Sequence, residues 1–375
     1  TLLLLERTGV RIGSPSVLDL FAAHGVRVND KQKTVHPTAQ DVAQALNTIP
    51  RSFEVYGRRT ENPLLLGGEN VYVLSGGASL RVLALDGCYE PATWEHLRQF
   101  NTLLDALPYV HMCINQVDPQ SGGKGFYKQL AAEMLIGLPK PPFFQANSAD
   151  DVSAMHAMGV VLRGSSEALA AKPVFMVGGN AEPPLDIPGH IAELIVAACQ
   201  ADIPTSLGNY NMMGITAPIT VAGSVVQLNA VQLVTIVLSQ LVRPGARLLY
   251  TAFSGSGNMR TLDPVTSDIR TLQMLRLAAG LGRSYGLPVY GVALTDARQP
   301  DSQAAAERAM QLQMAVDCGV NLIQGPTSMM DQMMLSSFAQ AVIDNDIAGL
   351  VLNACKRPEI SPETLALDVI HEVVT

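Results

Sequence analysis

The sequence predicts an α/β fold, a TIM (β/α)8 barrel with a small N-terminal α+β cap. Short apolar segments alternate with helical patterns from about residue 70 onward, and this alternation is typical of a parallel sheet covered by helices. The segments number eight, enough strands to close a barrel. The predicted strands are 70–77, 109–116, 142–147, 173–180, 203–210, 246–254, 288–295 and 320–326.

Helical patterns separate these strands. The first, "PATWEHLRQFNTLLDAL", has Pro91 near its start and Thr93 as the predicted N-cap, both common at helix N-termini. A doubly wound open sheet is the alternative arrangement. We find no GxGxxG fingerprint after the first strand, so the barrel is the preferred interpretation.

Residues 1–69 differ from the rest of the chain. "SPSVLDLFAAHGVRVND" and "HPTAQDVAQALNTIP" predict two short amphipathic helices, and the stretches beginning "SFEV" and "NPLLLGG" predict strands of a small β layer. We therefore expect a cap over 1–69 and the barrel over 70–352. We expect a C-terminal helical extension, truncated, over 353–375.

The segment from Val221 to Val242 is apolar on nearly all sides. A helix of this kind is normally buried on every face. We interpret it as a buried barrel helix. The alternative is a subunit interface, and we expect the protein to form a homo-oligomer.

The composition limits the possible partners. Of the 375 residues, 48% are hydrophobic and 15% charged, with a net charge of −8. This argues for a sizeable core and against nucleic acid or an anionic membrane as partner. The five cysteines are scattered, with no CxxC pair, which is typical of a reducing compartment. We find no signal peptide and no uninterrupted run of about 18 apolar residues, so we expect a cytoplasmic protein.

The carboxyl ends of the predicted strands carry the candidate site, because barrel active sites gather there. These ends contain glycines, amides and aromatic residues but almost no histidine, lysine or paired carboxylate. Little acid–base machinery is therefore predicted. The candidates are Gly76, Gly77, Asn209, Tyr210, Phe253, Thr295, Asp296 and Gln324, with Arg260 just beyond the sixth strand.

Metal and phosphate sites are the alternatives at these ends. His111 and Cys113 lie two residues apart on one strand, but zinc needs three or four ligands, so core packing is the preferred interpretation. The loops "ALTDARQPD" and "QGPTSMMD" lack the glycine-rich sequence of a barrel phosphate site. Just after the seventh strand lies a cluster of Asp296, Asp301, Gln303 and Glu307. One interpretation is a loop followed by a helix N-terminus, where acids interact favourably with the helix dipole. The other is that Thr295 and Asp296 point into the mouth of the barrel.

Several long stretches resemble the trimethylamine methyltransferase family. They include "ERTGVRIGSPSVLDLF", "LALDGCYEPATWEHL", "TAPITVAGSVVQLNAVQLVTIVLSQLVRPGA" and "GLPVYGVALTDARQPDSQAAAERA". The resemblance implies a TIM barrel that transfers a methyl group from a methylamine or betaine to a corrinoid protein. The sequence contains only the twenty standard amino acids. In this it resembles the branch of the family that lacks pyrrolysine. Gln324 stands where the family often has histidine, and Asp331 lies near its usual acid.

The resemblance implies roles for the candidate residues. A small quaternary amine would be the substrate and Co(I) of a partner's corrinoid (cobalamin) the methyl acceptor, as in methanogenesis-type methyl transfer, without zinc. Tyr210 and Phe253 would hold the ammonium through their aromatic faces. Arg260, assisted by Asn209 and Thr295, would bind a betaine carboxylate. Asp296 and Gln324 would complete the substrate site, and Gly76, Gly77, Gly255 and Gly257 would form small loops facing the corrinoid. A relative that binds a betaine or a corrinoid protein without turnover is the alternative.

Overall fold

The computed structural model describes residues 1–58, 61–121, 123 and 125–375. The strands are β1 (Val10–Ile12), β2 (Arg27–Asn29), β3 (Thr34–His36), β4 (Ser52–Val55), β5 (Leu64–Gly67), β6 (Tyr72–Leu74), β7 (Arg81–Leu83), β8 (Tyr89–Pro91), β9 (Phe143–Gln145), β10 (Met176–Asn180), β11 (Asp186–Ile187), β12 (Thr205–Gly208), β13 (Asn211–Met213), β14 (Leu248–Thr251), β15 (Ser254–Gly257), β16 (Pro264–Val265), β17 (Val289–Val292), β18 (Leu322–Gln324), β19 (Met329–Met330) and β20 (Leu335–Ser337).

The helices cover the sheet and continue beyond it. They are α1 (Leu2–Arg7), α2 (Pro15–Ala23), α3 (Ala39–Thr48), α4 (Trp94–Ala106), α5 (Phe126–Gly137), α6 (Ala149–Arg163), α7 (Ser166–Ala171), α8 (Gly189–Gln200), α9 (Val221–Val242), α10 (Ile269–Ser284), α11 (Ser302–Asp317), α12 (Phe338–Ala354), α13 (Pro362–Leu365) and α14 (Leu367–Val374). The predicted N-cap of α4 is confirmed, since the Thr93 hydroxyl accepts a hydrogen bond from the His96 amide.

The central sheet is a parallel barrel, which confirms the predicted fold class. Within the described residues, seven strands pair in the order β6-β18-β17-β14-β12-β10-β9. The predicted strand 109–116 closes the ring through single bridges, from Leu74 to Met112 and from Cys113 to Pro142. Each of the eight predicted segments therefore contributes to the ring. The regular strands are shorter than predicted because their ends leave the ladder at the rim of the barrel.

The hairpin β4–β5 packs against residues of the barrel interior. Its inward residues Phe53, Val55 and Leu66 are buried in one apolar cluster with barrel residues such as Leu74 and Leu322. The two strands pair antiparallel, so alternate side chains point to the same face. The apolar face of the hairpin thus covers one end of the barrel interior.

Helix α9 is buried on almost all its faces, which explains its composition. It packs against α8 and α10 of the barrel and against α1, α2 and α3 of the cap. By length and a hydropathy of 1.8 it could cross a membrane, yet 78% of its most apolar stretch is buried in the fold. Contacts within one chain therefore account for the apolar surface, as the interpretation of a buried barrel helix predicts.

The segment after α12 is exposed. None of the residues of α13 or α14 is buried. These helices do not contribute to the barrel core. The predicted division into a cap (1–69), a barrel (70–352) and a C-terminal extension (353–375) stays a prediction.

Candidate functional site

A cavity of about 510 Å³ lies at the carboxyl ends of the barrel strands. Aromatic rings, amide side chains, glycines and methionines line it, and no described residue of its lining carries a formal charge. Such a lining suits a ligand held by apolar and aromatic contact with a few polar anchors. The lining residues are Gly77, Ala78, Leu80, Phe143, Gln145, Gly178, Gly179, Asn180, Ser206, Gly208, Tyr210, Met212, Phe253, Pro264, Tyr290, Gln324, Gln332, Met333 and Met334.

A larger groove of about 870 Å³ lies among residues at the amino ends of the strands and neighbouring loops. It borders charged side chains, among them Glu69, Arg283 and Arg357. We assign the candidate site to the smaller cavity, because parallel barrels carry their chemistry at the carboxyl ends.

Tyr210 and Phe253 form one aromatic wall of the cavity. Their ring centroids lie 4.8 Å apart with the planes inclined at 54°. The Tyr210 hydroxyl has no hydrogen-bond partner among the described residues. Burial raises the pKa of Tyr210, and the nearby charge of Asp296 raises it further, so the phenol stays protonated at neutral pH. The structure thus brings together two predicted site residues from different strands.

Gln324 contributes a polar anchor to the cavity. It ends β18 and is 8% exposed. The hydroxyl of Tyr290, on the neighbouring strand β17, donates a hydrogen bond to Gln324 Oε1. Burial raises the pKa of Tyr290, which keeps this phenol available as a donor. Both residues line the cavity.

The acids and hydroxyls after β17 hold neighbouring loops. Asp296 accepts hydrogen bonds from the Thr266 and Ser267 backbone amides, each at 3.0 Å. The Thr295 hydroxyl donates to Glu307 Oε2 at 2.6 Å. Thr295 and Asp296 therefore lie behind the cavity lining and not on it.

Asn209 also lies behind the lining. Its side chain is fully buried, and neither amide atom has a hydrogen-bond partner among the described residues. A buried amide without partners costs free energy, so this position is unusual. The role of Asn209 in substrate binding stays a prediction.

Gly77 lines the cavity, whereas Gly76 is packed beneath it. A Cβ on Gly77 would lie 2.6 Å from Ile114 Cγ2, and a Cβ on Gly76 would lie 2.7 Å from Gln116 Nε2. These glycines are needed for close packing of the first strand end. Whether either faces a corrinoid stays a prediction.

A buried ion pair holds the loop after β18, the last strand of the barrel. We did not predict this pair from the sequence. Arg308 on α11 and Asp344 on α12 are both fully buried, with Nε and Oδ1 3.2 Å apart. Arg308 Nη1 also donates to the Ala293 carbonyl at 2.8 Å. Asp344 accepts from the Ser328 amide at 2.7 Å. An arginine among the alanines of α11 was the available signal, but the sequence does not show which helix faces it.

A family described as trimethylamine methyltransferase (MTTB) matches residues 1–375. The chain belongs to the trimethylamine methyltransferase family.

Individual members of the family are similar over the whole chain. Trimethylamine methyltransferase MttB of Desulfitobacterium hafniense is 28% identical, with 100% of this chain and 76% of that protein covered. A glycine betaine methyltransferase of the same species is 26% identical, with 100% and 78% covered. Among solved structures, monomethylamine methyltransferase MtmB of Methanosarcina barkeri has a TM-score of 0.62 at 12% identity, covering 96% of this chain and 79% of that one. That structural likeness supports the fold.

The segment "FSGSGNMR" corrects one expectation drawn from the resemblance to the trimethylamine methyltransferase family. It does not form an open loop of small residues. Ser254–Gly257 is the buried strand β15, which pairs with β13 and β16. A Cβ on Gly255 would clash with the Tyr210 hydroxyl oxygen, and one on Gly257 would clash with Ile215 Cδ1. These glycines make room for neighbouring side chains.

Arg260 lies away from the cavity lining. It is exposed in the turn between β15 and β16, and the cavity lining does not include it. The hairpin carries Arg260 outward because Gly257 pairs with Pro264 at its base. Its assignment to a substrate carboxylate stays a prediction.

Cys113 is buried in the barrel core, as the core-packing interpretation predicts, whereas His111 is partly buried and borders the larger groove. His111 Nδ1 accepts a hydrogen bond from the Val73 amide at 3.0 Å. Burial lowers the pKa of His111 to about 4 and raises that of Cys113 to about 12. Within the described parts of the chain, no group of three or more His, Cys, Asp or Glu is placed to hold a metal ion.

Proposed function

We propose that this member of the trimethylamine methyltransferase family moves a methyl group from a small quaternary amine to the corrinoid of a partner protein. The aromatic wall of Tyr210 and Phe253 carries this proposal. A quaternary ammonium cannot donate a hydrogen bond, and aromatic faces hold such a cation at roughly 0.5–2 kcal/mol each. The Asp296 carboxylate, close enough to raise the pKa of Tyr210, adds a favourable negative charge.

The lining chemistry agrees with this reaction. When the C–N bond breaks, its electron pair stays on nitrogen, and the leaving group is a neutral tertiary amine. No general acid is then required, which agrees with a lining without charged side chains among the described residues. The protein would orient the amine toward the methyl acceptor and exclude water from the cavity. Met212, Met333 and Met334 line the cavity and would supply apolar cover.

The corrinoid would come from a second protein. A corrin with its side chains is larger than a cavity of about 510 Å³, so it would be presented at the rim. Leu80 and Met334 line the cavity and are 38% and 39% exposed, so they offer apolar surface for a planar macrocycle. The reduced corrinoid supplies the nucleophile for the methyl group.

A cytoplasmic location is part of the same proposal. All five cysteines are free thiols, as is typical of a reducing compartment.

The test is anaerobic incubation of the protein with reduced cobalamin and a panel of quaternary amines. We expect one or more amines to yield the tertiary amine, measured by mass spectrometry. Tyr210→Leu should weaken amine binding several-fold, whereas Tyr210→Phe retains the ring and should bind about as tightly as wild type. Failure of every amine to bind would contradict the proposal.

Binding without turnover is the second candidate. Gln324 favours it, because this residue stands where the family often has histidine. An amine that binds but gives no tertiary amine, with either free cobalamin or the partner protein, would support this candidate over the first.

A further inference from the structure

The orientation of the Gln324 amide is set by its neighbour. Tyr290 is 5% exposed, and its hydroxyl donates to Gln324 Oε1. A buried phenol normally finds an acceptor, and of the two amide atoms of glutamine only the oxygen can accept. The contact therefore fixes which amide atom faces Tyr290.

The other amide atom is left for the cavity. Gln324 Nε2 carries two N–H donors, and no described residue accepts a hydrogen bond from it. Gln324 lines the same cavity as Phe253 and Tyr210. A ligand resting on those rings could place an oxygen against this nitrogen.

We infer that Gln324 determines specificity, by selecting quaternary amines that carry an oxygen acceptor a few bonds from the nitrogen. This inference rests on the proposed function. The donor is a neutral amide and not a cation, so a hydroxyl oxygen and a carboxylate both satisfy it. Substrates are then the alcohol and carboxylate derivatives of trimethylammonium, and an unsubstituted ammonium lacks the contact.

The test measures, by isothermal titration calorimetry, the affinity of the protein for tetramethylammonium, choline and glycine betaine. Wild type should bind choline and betaine more tightly than tetramethylammonium. Gln324→Met keeps the side-chain length and loses the donor, so affinity for the two oxygen-bearing amines should fall about three- to tenfold. Affinity for tetramethylammonium should change less than twofold.

Two further variants separate recognition from loss of folding. Gln324→Glu replaces the amide donor by a carboxylate. This carboxylate repels the carboxylate of betaine but accepts a hydrogen bond from the hydroxyl of choline. The ratio of betaine affinity to choline affinity should therefore fall by about tenfold. Tyr290→Phe frees the amide to rotate, and a partial loss confined to the oxygen-bearing amines is expected. Gln129→Met, on the exposed face of α5, is the matched control and should bind like wild type.

The outcomes distinguish this inference from the proposed function. Equal loss of all three amines in Gln324→Met, or no loss of any, overturns the role of Gln324 and leaves the proposed function standing. Loss of betaine affinity in Arg260→Ala but not in Gln324→Met also overturns it, in favour of Arg260. If wild type binds none of the three amines, the proposed function fails and the inference falls with it.

Discussion

At the scale of single residues, the fold fixes protonation states through burial. His111 shows this clearly, because its Nδ1 accepts from the Val73 backbone amide at 3.0 Å. That geometry requires an unprotonated Nδ1. Burial is the main cause of the lowered pKa of His111, and the charge of Lys140 adds to it. The neutral imidazole therefore helps to hold the segment 109–116 against β6 in the barrel.

This leads to a prediction about pH and stability. The pKa of His111 is about 4 in the folded chain, against 6.5 for an unperturbed histidine, so the unfolded chain binds more protons between these values. Stability should therefore fall as pH drops from about 6.5 to about 4. One pKa unit corresponds to about 1.36 kcal/mol, so His111 contributes roughly 3 kcal/mol to this fall.

The measurement is urea unfolding of wild type and His111→Gln across this pH range. Glutamine does not titrate, so the difference in stability between the two proteins should shrink as pH falls. A difference independent of pH would show that His111 titrates alike in both states.

At the scale of elements, helices α11 and α12 hold the loop that borders the cavity. Arg308 and Asp344 lie on facing helices, and both also bind backbone groups of the loops after β17 and β18. The loop continues to Asp331, which pairs with Arg81 and Arg298 at 3.0 Å each. Asp331, Gln332 and the next residue, Met333, all have positive φ. These contacts bring the residues after Asp331 to the cavity lining.

Removing one partner of the buried pair should destabilise the protein strongly. Asp344→Asn leaves Arg308 charged and buried without its counterion, which typically costs about 3–5 kcal/mol. Chemical denaturation should show this loss. Glu95→Gln, at an exposed pair with Arg98, is the control and should change stability by less than about 1 kcal/mol. Near-equal stabilities of the two variants would contradict the importance of the buried pair.

At the scale of the whole molecule, the two ends of the barrel differ. The apolar hairpin β4–β5 packs into the interior cluster, while the candidate cavity lies at the carboxyl ends. Beside the cavity, which Met212 of β13 and Pro264 of β16 line, exposed apolar side chains lie in the turn between β15 and β16 and just before α9. Ile219, Met259 and Leu262 are 57%, 60% and 62% exposed, and both Ile219 and Met259 lie against Gly214. Under the proposed function, we expect the partner protein to cover this patch, because the patch borders the cavity.

A charge in this patch should impair transfer to the partner more than substrate binding. Met259→Asp is expected to slow methyl transfer to the cognate corrinoid protein about tenfold or more, because an unpaired charge would be buried on docking. Transfer to free cobalamin and affinity for the amine should stay near wild type. Val161→Asp, at an exposed position on α6, is the control. Equal slowing with partner and free cobalamin would contradict a docking role.

The sequence by itself determined the barrel, the order of its strands along the chain and several cavity residues. Strand ends of a parallel barrel meet at one rim, so Tyr210, Phe253 and Gln324 could be placed there from local pattern alone. The apolar run of α9 likewise predicted burial.

Only the tertiary structure decided which rim residues reach the cavity. The Gly-Ser segment became the buried strand β15 because its neighbours β13 and β16 pair with it, and that pairing carries Arg260 outward. The buried contact of Arg308 with Asp344, and that of Tyr290 with Gln324, join residues 36 and 34 positions apart. Local periodicity shows which face of an element is apolar, but the partner across that face depends on how the elements pack.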